Sequence, residues 1–371
     1  MWTVKRFYDL NIQEFKETKS KYTNIYRAPI FIDDDRYEIK SILSVSGGFG
    51  IIYNAIDKRL NDRRVLIKAR RYDNESGLFL FKDDNQRLNK IRKIRNRISV
   101  EYDLLVAFKT EREARMPNVN NIVKGFCPSI YGPHKDLNGD TFFCEDDELC
   151  NKEPYIVMQI IDGETLAQYV EDGIDSVMKR RGFDKLVQWE RCVLEYAKEL
   201  TSIFQGFHNI QEKNDKRFYY IYQDLKPDNI MITSDKVITL LDFGGMIVIE
   251  VQKDGSNNSN IKDGGSPGLG TFGYSAPEMN NTTMLSKLDR RVDIYTLGAT
   301  IYHLLTGNKL NEILTQGKER IPVENLEGKY SNATCELVKK CTEIDRDKRY
   351  QTMEDVRHQI INVCFGELKN T

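Results

Sequence analysis

At 371 residues the chain is long enough for one large domain or two lobes, and 40% hydrophobic content is ordinary for a buried core. Lysine and arginine total 55 against 56 aspartates and glutamates, so no bulk charge draws the chain to nucleic acid or to an anionic membrane, and any charged site is local. No apolar run reaches the ~20 residues needed to span a bilayer, the N-terminus MWTVKRFYDLN has no signal-peptide core, and seven irregularly spaced cysteines do not make a disulfide framework, which together predict a cytoplasmic protein with reduced thiols.

Residues 1–36 are polar with scattered aromatics and no sustained period, and read as an extension that docks elsewhere or stays loose. From Tyr37 the segments YEIKSILSV, GIIYNAID and RRVLIKARRY are short, β-branched and separated by Gly or Asn-Asp, which predicts three antiparallel strands. Leu88, Ile91, Ile94, Ile98, Tyr102 and Leu105 then recur at three or four residues, the stripe of one long helix that packs on that sheet. NIVKGF and PYIVMQII are strand-like, and after DGETL the chain turns helical around two short strand pairs. The expected fold class is therefore α+β. KDGSNNSNIKDGGSPGLG is the one low-complexity stretch and is expected to be mobile.

Several stretches carry chemistry. In SGGFGIIY a glycine-rich turn lets backbone N–H groups approach phosphate oxygens, although glycine pairs also end ordinary hairpins. Lys68 in VLIK projects from a half-buried strand and calls for a partner charge, which Glu101 on the helix can supply; two unrelated surface charges are the alternative. Asp224, Lys226 and Asn229 share the loop YQDLKPDN, and Asp242 ends the apolar run VITLLDFGG, a set comprising a base, a cation and two oxygen ligands suited to Mg²⁺.

Taken in order, SGGFGIIY, VLIK, YQDLKPDN, DFGG, GTFGYSAPE, DIYTLG and DRDKRY resemble the motifs of the eukaryotic-type (Hanks-type) Ser/Thr protein kinases over about residues 37–365, in wording closest to soluble bacterial members. The resemblance implies a two-lobed fold, with an N-lobe of about 37–160, a C-lobe of about 161–365, ATP in the cleft and Mg²⁺ as cofactor. It implies Val45, Gly47, Gly48 and Gly50 at the phosphate loop, Lys68 on the α- and β-phosphates, and Glu101 holding Lys68. It implies Asn229 and Asp242 on Mg²⁺, Asp224 orienting the substrate hydroxyl, and Lys226 steadying the transferring phosphoryl group, with Thr271 marking the Ser/Thr pattern. Met158 would be the gatekeeper before a hinge at Gln159–Asp162 that includes Ile161, and adenine would lie between Ile52, Leu66 and Met231. Glu278 should pair with Arg349, and Asp293 should anchor the catalytic loop. The implied partners are ATP and the Ser/Thr residues of protein substrates, with autophosphorylation.

The chain departs from the pattern at named places. Val45 replaces the first loop glycine, and Leu66 replaces a small residue over adenine. The insert YDNESGLFLFKDDNQ lengthens the Lys68–Glu101 separation and leaves Glu111 and Glu113 as rivals, with Leu104, Leu105 and Phe108 favouring Glu101. Tyr222 and Gln223 stand where most regulated kinases have His and Arg, which removes the cation for an activation-loop phosphate. Two other readings, a nucleotide-binding pseudokinase scaffold and a small-molecule phosphotransferase, compete with the active protein kinase. Cys127, His134, Cys144 and Cys150 could bind Zn²⁺ but lack a CxxC spacing, and KIRKIRNR is expected to be the solvated face of the long helix rather than a docking patch.

Overall fold

The computed structural model describes residues 31–32, 36–44, 50–70, 86, 98, 101, 104, 123–129, 134–135, 141–142, 153–234, 236–252, 257–258, 268, 270–280, 285, 288–314 and 320–366. The chain divides into two compact units, the first made of Met1–Thr110 with Asn120–Ile161 and the second of Glu111–Val119 with Asp162–Thr371. Antiparallel strands dominate the first and helices the second, an α+β arrangement.

In the first unit β1 (Phe31–Ile32), β2 (Tyr37–Ser44), β3 (Gly50–Asp57), β4 (Arg63–Arg70), β5 (Val123–Ser129) and β8 (Glu153–Gln159) form one antiparallel sheet in the order β1-β2-β3-β4-β8-β5. The three strands expected from YEIKSILSV, GIIYNAID and RRVLIKARRY are β2, β3 and β4. Asn61 and Asp62 both take positive φ (51° and 55°), as a tight hairpin turn between right-twisted strands requires. Burial alternates along β3, where Tyr53, Ala55 and Asp57 are buried and Ile52, Asn54 and Ile56 half-buried, so one sheet face is core. Asp57 is a polar member of that face: Arg36 donates to both its carboxylate oxygens at 3.1 and 2.9 Å, tying the entry of β2 to the end of β3. Gln86, Ile98, Glu101 and Leu104 are helical, and the last three, spaced by three residues, are all buried. The other residues of the expected helical stripe lie outside the described residues.

β1 falls inside the stretch read from sequence as a loose extension, because a two-residue strand is too short to display a period. A separate hairpin, β6 (His134–Lys135) with β7 (Thr141–Phe142), lies in the segment with the candidate zinc ligands. Cys127 and His134 are placed only as strand backbone, and Cys144 and Cys150 lie outside the described residues. Among the described residues no three His, Cys, Asp or Glu gather as a metal site, and no helix is long and apolar enough to cross a membrane.

The second unit is built around α3 (Leu186–His208) and α4 (Arg291–Thr306), preceded by α1 (Leu166–Val170) and α2 (Ile174–Arg181) and followed by α5 (Leu310–Ile313), α6 (Asn332–Cys341) and α7 (Met353–Gly366). Every residue from Val292 to Leu305 is buried, so α4 is a central helix rather than an amphipathic one. Trp189 donates from its indole nitrogen to the Leu304 carbonyl at 2.9 Å, joining α3 to α4. α6 crosses so close to α4 that a Cβ on Gly298 would lie 2.5 Å from the Cys341 Cβ.

Two small sheets carry the loops of interest. β9 (Gly163–Thr165), β12 (Ile230–Thr233) and β13 (Ile238–Leu240) form one; β10 (Gln211–Lys213), β11 (Lys216–Ile221), β14 (Ile247–Val251) and β15 (Asn257–Asn258) form the other. This exceeds the two strand pairs expected. β14 follows directly on DFGG and pairs antiparallel with β11, and β15 sits within the low-complexity stretch yet pairs with β14, because backbone pairing needs no apolar pattern.

Candidate active site

The first unit presents Lys68 on β4. Its cross-strand neighbours are Ile52 on β3 and Ile156 on β8, and Leu66 two residues earlier pairs with Met158, so the cation rises from an apolar sheet face. Glu101 meets it there: the ammonium lies 2.8 and 2.7 Å from the two carboxylate oxygens, and both side chains are buried. A buried charge of either sign alone is costly, and the pairing offsets much of that cost while holding the ammonium in one place. The insert after β4 therefore does not displace Glu101; Glu111 and Glu113 lie outside the described residues. Ile52, Leu66, Met158 and Ile161 are half-buried, Gly50 opens β3, and Gln159 closes β8 with its side chain outside the described residues, as are Val45, Gly47 and Gly48.

The second unit sets Asp224, Lys226 and Asn229 on the loop between β11 and β12. Asp293, fully buried on α4, accepts the backbone N–H groups of Tyr222 (3.0 Å) and Gln223 (2.8 Å) and faces His208 Nε2 at 2.9 Å. Thr300 on the same helix donates to the Leu225 carbonyl. The loop is thus fastened to the most buried helix of the unit, as expected for Asp293. Pro227 then starts a single 3₁₀ turn, Pro227–Asn229, that leads into β12 with Met231 half-buried.

Within this loop Asp224 is the focus. Its Oδ1 accepts the Thr271 hydroxyl at 2.7 Å, and its Oδ2 accepts Asn229 Nδ2 at 3.1 Å and faces Lys226 Nζ at 3.3 Å. Lys226 also donates to the Thr271 hydroxyl oxygen at 2.6 Å, closing a triangle of acid, cation and hydroxyl. Burial raises the Asp224 carboxyl above its ordinary value, against the opposing pull of Lys226 and the Thr271 hydrogen bond. The carboxylate is held without being neutralised by a close bidentate partner.

Asp242 ends the run after β13 with φ +55°, in the left-handed region, and accepts the Gly244 N–H at 3.1 Å. The Leu241 N–H donates to the Asn229 carbonyl at 2.8 Å, which ties the two oxygen-bearing segments together. The Asn229 amide nitrogen is engaged by Asp224 through its backbone carbonyl (2.8 Å) and side chain, so its amide oxygen is the atom available to a cation. A carboxylate and an amide oxygen are donors that suit a hard divalent ion such as Mg²⁺.

Glu278 and Arg349 form the expected pair, bidentate at 2.7 and 2.8 Å, and Arg349 also donates to the carbonyls of Glu343, Ile344 and Arg291. Sequence reasoning did not foresee His208 on Asp293 or any role for the Tyr222 side chain. The aromatic run FYYIY, buried continuously from Tyr219 to Tyr222, is the signal that could have found Tyr222.

Comparison with known proteins agrees with this geometry. A model of the protein kinase domain matches residues 140–361. The serine/threonine-protein kinase PknB of Mycolicibacterium smegmatis is 27% identical over 343 residues, 90% of this chain and 44% of that protein. A probable serine/threonine-protein kinase of Clostridium acetobutylicum is 24% identical over 337 residues, 89% of this chain and 40% of its own length. The dual specificity protein kinase zak2 of Dictyostelium discoideum is 29% identical over 181 residues, 49% of this chain and 25% of that protein. The chain thus spans less than half the length of these curated relatives. A match across more than half the chain, over the very segment that assembles Asp224, Lys226, Asn229, Asp242 and Thr271, places it: the chain belongs to the protein kinase family.

Proposed function

We propose that the chain transfers the γ-phosphoryl group of ATP to serine and threonine hydroxyls of protein substrates, itself included, with a catalytic domain of about residues 37–365 and residues 1–36 as a docking extension. The observation that carries this reading is Asp224, a carboxylate held by Thr271, Asn229 and Lys226 with its ordinary acidity weakened by burial. Such a group can orient a substrate hydroxyl and receive its proton. Lys226 brings positive charge to where charge develops on the transferring phosphoryl group. Lys68, steadied by Glu101, binds the α- and β-phosphates; Ile52 and Leu66 offer apolar surface to the base. Asn229 and Asp242 would hold Mg²⁺, which when bound neutralises phosphate oxygens.

The formed Lys68–Glu101 pair and the Asp224 triangle favour an active enzyme over a scaffold. Glu278 paired with Arg349 supports the A-P-E segment that forms the peptide shelf in protein kinases, which favours a protein over a small-molecule acceptor. The test is a kinetic split. Asp224→Asn should lose about 10³-fold in turnover while nucleotide affinity stays within twofold of wild type, because no phosphate contact is removed. Asp242→Asn should lose turnover and also weaken Mg²⁺-nucleotide binding by about tenfold. Wild-type rates in both would show the assignment to be wrong.

A further inference from the structure

Tyr222 and Gln223 take no part in the chemistry above, yet each reaches the segment that carries Asp242. β11 and β14 pair with Ile221 opposite Ile247, and continuing that antiparallel register beyond the strands sets Gln223 opposite Gly245. The bond found there is made by a side chain: Gln223 Nε2 donates to the Gly245 carbonyl, while its Oε1 accepts the Gly268 N–H at 3.0 Å. Gln223 itself is fully buried and holds φ +71°, an uncommon conformation for a residue with a side chain. Tyr222 donates its hydroxyl to the Leu241 carbonyl, stacks on Phe207 and meets the Phe243 ring edge-on at 5.7 Å. The two side chains therefore grip the backbone on both sides of Asp242-Phe243-Gly244, at Leu241 and at Gly245, and the Met246 N–H to Phe243 carbonyl bond closes the turn between.

We propose that Tyr222 and Gln223 are positioning residues that hold Asp242 in its positive-φ, cation-binding conformation and fasten that segment to Gly268 without a phosphate. The inference rests on the reading of Asp242 as a cation ligand. A carboxamide is suited to the task because it donates to one backbone group and accepts from another; neither guanidinium nor carboxylate does both. Gly268 suits the far end: its φ is +82°, and a Cβ there would lie 2.7 Å from the Met279 carbonyl oxygen.

The experiment titrates Mg²⁺ against binding of a fluorescent ATP analogue to wild type, Tyr222→Phe, Gln223→Glu and Asp242→Asn, with thermal melting to confirm folding. Tyr222→Phe keeps the ring contacts and loses only the hydroxyl bond; Gln223→Glu keeps the acceptor and loses the donor. Each should raise the half-saturating Mg²⁺ concentration about fivefold, the equivalent of one net hydrogen bond, while analogue binding without Mg²⁺ stays within twofold. Backbone amides of residues 243–246 should exchange faster with solvent in both variants than in wild type, without any ligand. If Tyr222→Phe, or both variants, keep wild-type Mg²⁺ dependence and exchange while Asp242→Asn shifts the dependence, the proposal fails and the cation site stands. If Asp242→Asn shifts nothing either, the cation-site reading fails and takes the proposal with it. Should Gln223→Glu not fold, Tyr222→Phe decides alone.

Discussion

The second unit contains two acid–base pairs of opposite design. Glu278 and Arg349 meet through both carboxylate oxygens, Arg349 is fully buried, and its remaining donors go to three backbone carbonyls. Asp224 and Lys226 are partly exposed and 3.3 Å apart, and Lys226 lies closer to the Thr271 hydroxyl than to the carboxylate. The first pair has every polar atom engaged inside the protein and so holds the fold. The second leaves capacity on each member, which is what a group that must meet a substrate needs. A charge's role can thus be read from how fully the protein satisfies it.

That contrast can be broken by four measurements. The largest stability effect should come from Glu278→Gln, which strands the Arg349 cation in a buried site and should cost about 3 kcal/mol by denaturant titration. A cost below about 1 kcal/mol would mean that the pair does not hold the fold. Glu101→Gln removes the counter-charge of Lys68 with little change of volume; the KM for ATP should rise about tenfold, the scale of a charge-assisted bond. An unchanged KM would detach Lys68 from the nucleotide.

Asp224→Asn should behave in the opposite sense to Glu278→Gln. Because burial raises the Asp224 carboxyl in the folded state above its unfolded value, its contribution is fully present at low pH and is lost as pH rises through the carboxylate range. The Tm of Asp224→Asn relative to wild type should therefore rise between pH 4 and pH 7 (on the order of a carboxylate's titration window). A Tm difference that falls over that range would contradict the assigned environment. The smallest effect is expected from the triple variant Ser256→Ala, Ser259→Ala and Ser266→Ala, which removes the three serines of the low-complexity stretch KDGSNNSNIKDGGSPGLG between Asp242 and Glu278. Gln223 is neutral and already bonded to Gly245 and Gly268, so no cation there awaits a loop phosphate. Activity on an exogenous protein should change by less than about twofold; a tenfold loss would mean that another cation receives the phosphate.

The parts of the molecule differ in how legible they were in the sequence. β2, β3 and β4 were readable because β-branched runs alternate between clear turn signals, and Asn61-Asp62 marks the hairpin. Asp224, Lys226, Asn229 and Asp242 stand out in the sequence as candidates by their motif spacing, whatever the apolar pattern around them, and the structure brings the first three together with Thr271. β1 and β15 were not, since a two-residue strand is made by backbone pairing and leaves no period. Side-chain bridges such as Tyr222 to Leu241 and Gln223 to Gly245 were equally hidden. The pairing of β11 with β14 sets Gln223 opposite Gly245, and the residue types alone suggested only the loss of an arginine. The family match begins at residue 140, downstream of Lys68 and Glu101, in keeping with the departures at Val45, Leu66 and the insert after β4.

The proposed activity is transfer of phosphate from ATP to hydroxyls on proteins. The most direct measurement is incubation of the purified chain with γ-labelled ATP, Mg²⁺ and a protein acceptor, followed by mapping of the modified residues. Label is expected on serine or threonine of the acceptor and of the chain itself, abolished by Asp224→Asn. Label absent from protein in wild type, or undiminished in Asp224→Asn, would contradict it.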